Sequence, residues 1–267
     1  TLDSSGAPLD SIYFTSWRDK YPVKVAENLY MREDWKDTMF SRILKSPLGP
    51  WSKYVYSDND FIFLGKIVES ITHKSLERYA EEEFYKPMGL TSIGFRPQQR
   101  MPVMRIVPTE EEKIFRKQVL RGDVHDPGAA MFGGVSGHAG LFSNAYDIAA
   151  VMQMLLDGGS YNGRKFLSKE TIDLFTSYHS DFSRRAYGFD KPEKDNYKRD
   201  EPYPAALPSQ KTFGHTGFTG TCAWADPQYN IIYVFLSNRV NPVENRALLR
   251  MNVRGKIHDA IYKAMLP

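Results

Sequence analysis

The sequence predicts an α+β protein, and three observations carry that expectation. Apolar residues recur at helical spacing between positions 33 and 175, two short apolar runs separated by a turn follow near 222–238, and a long helical stretch closes the chain. Helices first, then strands, then one helix is not the strict alternation that builds a parallel sheet.

The elements can be justified in order. Residues 33–44 place Trp35, Met39, Phe40, Ile43 and Leu44 at helical spacing and stop at Pro47-Leu48-Gly49-Pro50. Residues 59–71 are the most apolar helix, since Phe61, Ile62, Leu64, Ile67, Val68 and Ile71 cover more than one face. A helix of that kind is expected to be buried. Residues 75–85 open on a serine cap followed by acids and end before Pro87 and Gly89. Thr109-Glu110-Glu111-Glu112 reads as the cap and first turn of a short helix. Residues 144–156 repeat Ile148, Val151, Met152, Leu155 and Leu156 before Gly158-Gly159, and Ser168 caps a helix through Phe175. Lys191, Lys194, Lys198 and Arg199, offset by nearby acids and punctuated by prolines, read as a solvated loop. Residues 243–265 read as one long C-terminal helix.

Composition excludes several classes. The 267 residues carry a net charge of +3 with no dense basic cluster among aromatics, so nucleic acid is not an expected partner. No apolar run approaches the ~18 residues that would span a membrane. The single cysteine, Cys222, lies in an apolar run and is expected to be a small buried side chain rather than a reactive thiol. His125-Asp126 is the one pair that suggests a metal, but no third ligand stands at metal spacing, so neither a metal nor another cofactor is expected.

The chemistry is concentrated in Gly214-His215-Thr216-Gly217-Phe218-Thr219-Gly220, which leads into the apolar runs 222–225 and 231–236 with a turn at 226–230. That is a β-hairpin whose first strand opens on a polar, glycine-rich edge. Glycine there admits a close backbone or ligand, or marks no more than a bulge. Three further segments stand upstream: Tyr56-Ser57-Asp58 before the apolar helix, Tyr85-Lys86-Pro87-Met88-Gly89-Leu90, and Gly133-Gly134-Val135-Ser136-Gly137-His138-Ala139-Gly140-Leu141-Phe142-Ser143.

The four segments in this order resemble the serine β-lactamase-like family, which includes class C β-lactamases, D-alanyl-D-alanine carboxypeptidases and related esterases. The resemblance runs from about Tyr54 to the C-terminus. It implies an antiparallel sheet covered by the terminal helix, joined to a helical region. The expected organisation is one partial domain over 1–267, mostly helical over about 54–178, with the hairpin and last helix over about 212–267. The family's nucleophile sits in Ser-x-x-Lys, and no serine of this chain has lysine three residues on. Two readings follow: the nucleophile segment, the first helix and two strands lie upstream of Thr1, or a natural homologue has lost its nucleophile.

The resemblance also assigns roles. Tyr56 matches the tyrosine that shuttles a proton between nucleophile and leaving group. His215 stands where many β-lactamases have lysine and can donate to Tyr56 or to a substrate carboxylate, with a charge that depends on pH. Thr216 could bond the same carboxylate, and the Phe218 N–H after Gly217 matches one oxyanion donor. Asp58 departs from the usual asparagine and, when ionised, cannot donate to a substrate amide, so pairing with the family's lysine is the expectation. His138 and Ala139 match a loop bordering the substrate cleft, which the small Ala139 would widen. Tyr56, Asp58 and His215 are expected to converge on one cleft.

The function implied is the C-terminal part of a serine acyl hydrolase of the cell envelope or periplasm, acting on a cell-wall peptide, a muropeptide or an ester, and inactive by itself. The alternative is a non-catalytic domain that binds wall fragments or supports a partner. The His138 segment and the closing stretch also resemble the C-terminal lactamase-like half of glycosidase fusion proteins. With the nucleophile helix absent, an apolar groove and a free sheet edge are expected, covered by a dimer partner or an upstream domain.

Overall fold

The computed structural model describes residues 1–50 and 54–265, and the chain divides into two compact units. The first comprises residues 1–86, 92–142 and 240–243, and the second comprises 87–91, 143–239 and 244–267.

The first unit opens on an antiparallel sheet that the sequence pattern did not announce. β1 (Tyr13–Phe14) and β2 (Val23–Ala26) flank β3 (Leu29–Met31). Val23, Val25, Ala26, Leu29 and Met31 turn inward and form a core with Phe115, Leu120, Val124, Ala129 and Ala130. Three strands this short give too few alternations for a period-2 signal. α1 (Asp34–Leu44) follows as expected, and α2 spans Asp58–Thr72.

The burial expected for α2 does not hold. Only Ile62 and Gly65 are buried in it, while Leu64, Ile67 and Ile71 are exposed. Its apolar residues wrap around the helix, but one narrow stripe meets the rest of the unit. α3 (Leu76–Ala80) begins at the Ser75 cap and widens into a π-helical turn over Glu81–Tyr85.

The expected helix at Thr109 is also corrected. Residues Glu110–Glu112 form β4, paired antiparallel with β5 (Gln118–Leu120). The reason is where Glu112 directs its carboxylate: it accepts the N–H groups of Ile114, Phe115 and Arg116, so it closes the following turn instead of capping back. α4 (Pro127–Met131) starts at the Asp126 cap with proline in its first turn.

In the second unit α5 (Ala145–Leu156) packs on the C-terminal sheet. β6 (Ser160–Tyr161) and β7 (Arg164–Lys165) make a small hairpin before α6 (Lys169–Thr176). The sheet is antiparallel in the order β10, β9, β8, from β8 (Phe213–Thr216), β9 (Cys222–Asp226) and β10 (Ile231–Phe235). Cys222 is buried in it as expected, and burial pushes its thiol up to about 11. The closing helix is two pieces, α7 (Ala247–Arg250) and α8 (Val253–Met265), because Asn252 takes a left-handed backbone at φ 47°. α8 covers the sheet: Tyr233 stacks on His258 at 4.5 Å, and the Tyr262 hydroxyl donates to Asp226 Oδ2 at 2.7 Å.

The stretch expected as a solvated loop is exposed at Lys194, Lys198 and Arg199, as expected, but it is anchored at three buried points. Lys191, Pro192 and Asn196 are buried, and Asp190 bridges to Gly214 of β8. Prolines and charges made it look like a linker, but it is a strap bonded beneath β8, with Lys191 Nζ donating to Thr212 O at 3.1 Å.

Candidate functional site

In the first unit, Ser57 caps α2 from an extended backbone, its hydroxyl accepting the Asn59 N–H at 3.2 Å. Asp58 and Asp60 occupy the first turn, where the helix dipole favours anions. Tyr56 stands just outside the cap and is 51% exposed.

The loop carrying His138 is fixed by two glycines. A Cβ on Gly137 would lie 2.0 Å from the Phe61 carbonyl oxygen, and one on Gly65 would lie 3.2 Å from Gly137 N. Without side chains at these positions, the loop lies directly on the first turns of α2. His138 is thereby held between partners: Nδ1 meets Ser136 Oγ at 2.9 Å, and Nε2 meets Asp126 Oδ1 at 2.7 Å. Asp126 also accepts the Ala129 N–H at 2.7 Å as the cap of α4. Burial opposes ionisation of Asp126, but the bonds from His138 and Ala129 outweigh it and hold the carboxyl below its usual value.

Asp58, Asp126 and His138 present ligand atoms within 4.8 Å of one another. The sequence offered His125 with Asp126 and no third ligand. Folding instead turns His125 toward Glu110 at 3.3 Å and brings Asp58 and His138 to Asp126. A divalent cation could be held at that spacing, yet Asp126 and His138 already satisfy each other by hydrogen bonds. Asp58 thus has an acid and an imidazole as neighbours. Ala139 is half-buried against the core of this unit. Beside it a hollow of about 370 Å³ is lined by Phe61, Leu64, Val68, Leu141, His138 and Ala139.

In the second unit, Gly214 allows β8 to lie tight on β9, since a Cβ there would be 2.1 Å from Ala223 O. Its outer edge is partly closed, as Asp190 N–H donates to Gly214 O at 2.7 Å and Gly214 N–H to Asp190 O at 3.0 Å. His215 Nδ1 lies 2.7 Å from Thr216 O, and Nε2 lies 2.6 Å from Arg185 Nη1. Burial first, and then the Arg185 charge, hold the imidazole below its usual value. Gly217 and Gly220 close the turn after β8, with Gly217 N–H donating to Thr221 O at 2.8 Å. Phe218 is exposed, its carbonyl taking the Arg239 Nε–H at 2.7 Å and its ring lying 4.4 Å from the guanidinium.

The structure therefore places Tyr56, Asp58, His138 and Ala139 in the first unit and His215, Thr216, Gly217 and Phe218 in the second. Sequence reasoning missed the partners of each set: Ser136 and Asp126 for His138, and Arg185 with Asp190 for His215. The adjacent Arg184-Arg185 ahead of Asp190 was the available signal.

The sequence matches the Beta-lactamase family over residues 4–256. It is 36% identical over 271 residues to an Escherichia coli K12 protein described as "Putative D-alanyl-D-alanine carboxypeptidase", covering 92% of this chain and 61% of that protein. A Salmonella enteritidis protein of the same description is also 36% identical, with 92% and 62% covered. The chain thus spans about three fifths of the relatives' length. Among solved structures, a penicillin-binding protein homologue from Caulobacter crescentus matches with TM-score 0.54 at 20% identity, covering 85% of this chain and 62% of that one. Simvastatin synthase from Aspergillus terreus matches with TM-score 0.57 at 18% identity, over 88% and 64%. At these identities the structures support the fold alone.

Proposed function

Because the chain belongs to the Beta-lactamase family, we propose that it is part of a serine acyl hydrolase of the D-alanyl-D-alanine carboxypeptidase type, acting in the cell envelope on peptides of the wall. The observation that carries this reading is the family match over residues 4–256 together with Tyr56, half-exposed at the head of α2. In this reading Tyr56 carries the proton between nucleophile and leaving group. A phenol does this at neutral pH only where nearby cations favour its anion. Thr216 and the Phe218 N–H serve the substrate's carboxylate and oxyanion. Asp58 cannot donate to an amide while ionised.

No serine of the 267 residues has lysine three places on. The proposal therefore places the nucleophile in the part of the relatives' length that this chain does not span, and this chain alone is inactive. Loss of a serine hydrolase nucleophile costs on the order of 10⁶ in rate. The test is a fluorophosphonate probe with a D-alanyl-D-alanine peptide assay. This chain is expected to stay unlabelled and inert, and a longer chain bearing the upstream segment is expected to label and hydrolyse. Labelling of this chain at one of its own serines would overturn the placement. An unreactive longer chain that folds and binds wall fragments would instead establish the non-catalytic reading.

A further inference from the structure

The partners of His215 decide its protonation by what they are able to do. A guanidinium only donates hydrogen bonds and a carbonyl only accepts them. Arg185 Nη1 lies 2.6 Å from His215 Nε2, so Nε2 must offer its lone pair. Thr216 O lies 2.7 Å from Nδ1, so Nδ1 must carry the hydrogen. Both contacts demand the same species: the neutral ring with its proton on Nδ1. A proton added at Nε2 would face a cation and break that bond.

The arginine is itself held. Asp190 is fully buried and fastened to β8 through its backbone bridge to Gly214. Its Oδ1 lies 2.8 Å from Arg184 Nε and 3.3 Å from Arg185 Nε, at ion-pair distance. Its Oδ2 accepts from the Tyr203 hydroxyl at 2.6 Å and from Arg184 Nη2 at 3.1 Å. Arg184 pairs onward with Glu193 at 3.0 Å and lies 4.1 Å above the Tyr203 ring. Arg184, Arg185 and Asp190 come from the strap and Tyr203 from the segment after it. Arg184, Arg185 and Asp190 are charged groups that act on the His215 ring.

We propose that Arg185 is a positioning residue that locks His215 as the neutral Nδ1–H tautomer, with Asp190 holding Arg185 in place. The position that resemblance assigns to a titrating cation is then a fixed acceptor, and the charge beside it belongs to the Arg185 guanidinium. Nε2 has no proton to give, and its lone pair is taken by Arg185. The lock stands on this chain's geometry alone. Its meaning for catalysis rests on the hydrolase reading above, in which the leaving group's proton then comes from Tyr56 and not from His215.

The test needs no substrate, so it stays separate from the fate of that reading. The chain is labelled with ¹⁵N-histidine and its long-range ¹H–¹⁵N spectrum is followed with pH. His215→Gln identifies the His215 signals by their loss. The expected result near neutral pH is a protonated Nδ1 and a bare Nε2. Arg185→Gln should let the tautomers mix and move the His215 midpoint upward, while Arg185→Lys, which retains a cationic donor, should restore much of the lock. An Nε2–H tautomer in the unmutated chain would overturn the proposal. An unchanged His215 titration in Arg185→Gln, with the His258 signals showing the fold intact, would overturn it equally. Should Arg185→Gln fail to fold, the tautomer of the unmutated chain still decides.

Discussion

Single side chains set how this protein should respond to acid. His258 is 1% exposed, stacked on Tyr233, and burial depresses its imidazole to about 4. Its ordinary value is near 6.5, so between those limits the unfolded chain binds a proton that the native one refuses. Stability is then complete above pH 6.5 and falls as the pH drops toward 4, by up to about 3 kcal/mol at ~1.4 kcal/mol per unit. Urea midpoints for the chain and for His258→Gln should show a slope over pH 4–6.5 that is shallower in the variant. Asp126 offers a second test. Replacing it by alanine removes the α4 cap and the partner of His138, for an expected loss of about 2–3 kcal/mol. Asp126→Asn keeps a capping oxygen and should lose less. Because Asp126 and His138 satisfy each other, EDTA is expected to leave the melting midpoint unchanged, and a drop would reveal a bound cation.

At the level of elements, strings that act locally were legible and pairings across the chain were not. The serine caps at 75 and 168 announced their helices because a cap is a contact between near neighbours. The Tyr56 and His215 motifs were legible for the same reason. The β4 strand was misread because Glu112 bonds forward, a choice set by the turn it closes. The strap under β8 reads correctly as exposed over Lys194, Lys198 and Arg199, but its anchoring at Lys191 was missed because that depends on a bridge between Asp190 and Gly214, which no local pattern carries. The seating of the His138 loop is a further long-range contact, and Gly137→Ala tests it. The added methyl meets the Phe61 carbonyl oxygen, backbone that cannot turn aside. The expected cost is 1–3 kcal/mol, read as a lowered urea midpoint with His138 signals displaced.

For the molecule as a whole, the family followed from the order of the motifs and a mixed helix-and-strand fold from the order of the elements, but the burial expected of α2 does not hold. Leu64, Ile67 and Ile71 lie exposed on it, and Leu64 also lines the hollow of about 370 Å³. Exposed apolar surface of this kind is normally covered. Sedimentation velocity over a range of concentrations should therefore show self-association, and a hydrophobic dye should bind. A monomer at every concentration that leaves the dye dark would refute this expectation. The strap has a different use. Lys191 is 2% exposed and burial lowers its amine to about 8. Near that pH about half of these amines are uncharged and nucleophilic, yet no acylating reagent reaches one while Lys191 Nζ stays under Thr212 O. The pace at which this amine alone takes up an acetyl group therefore clocks how often the strap lifts from β8.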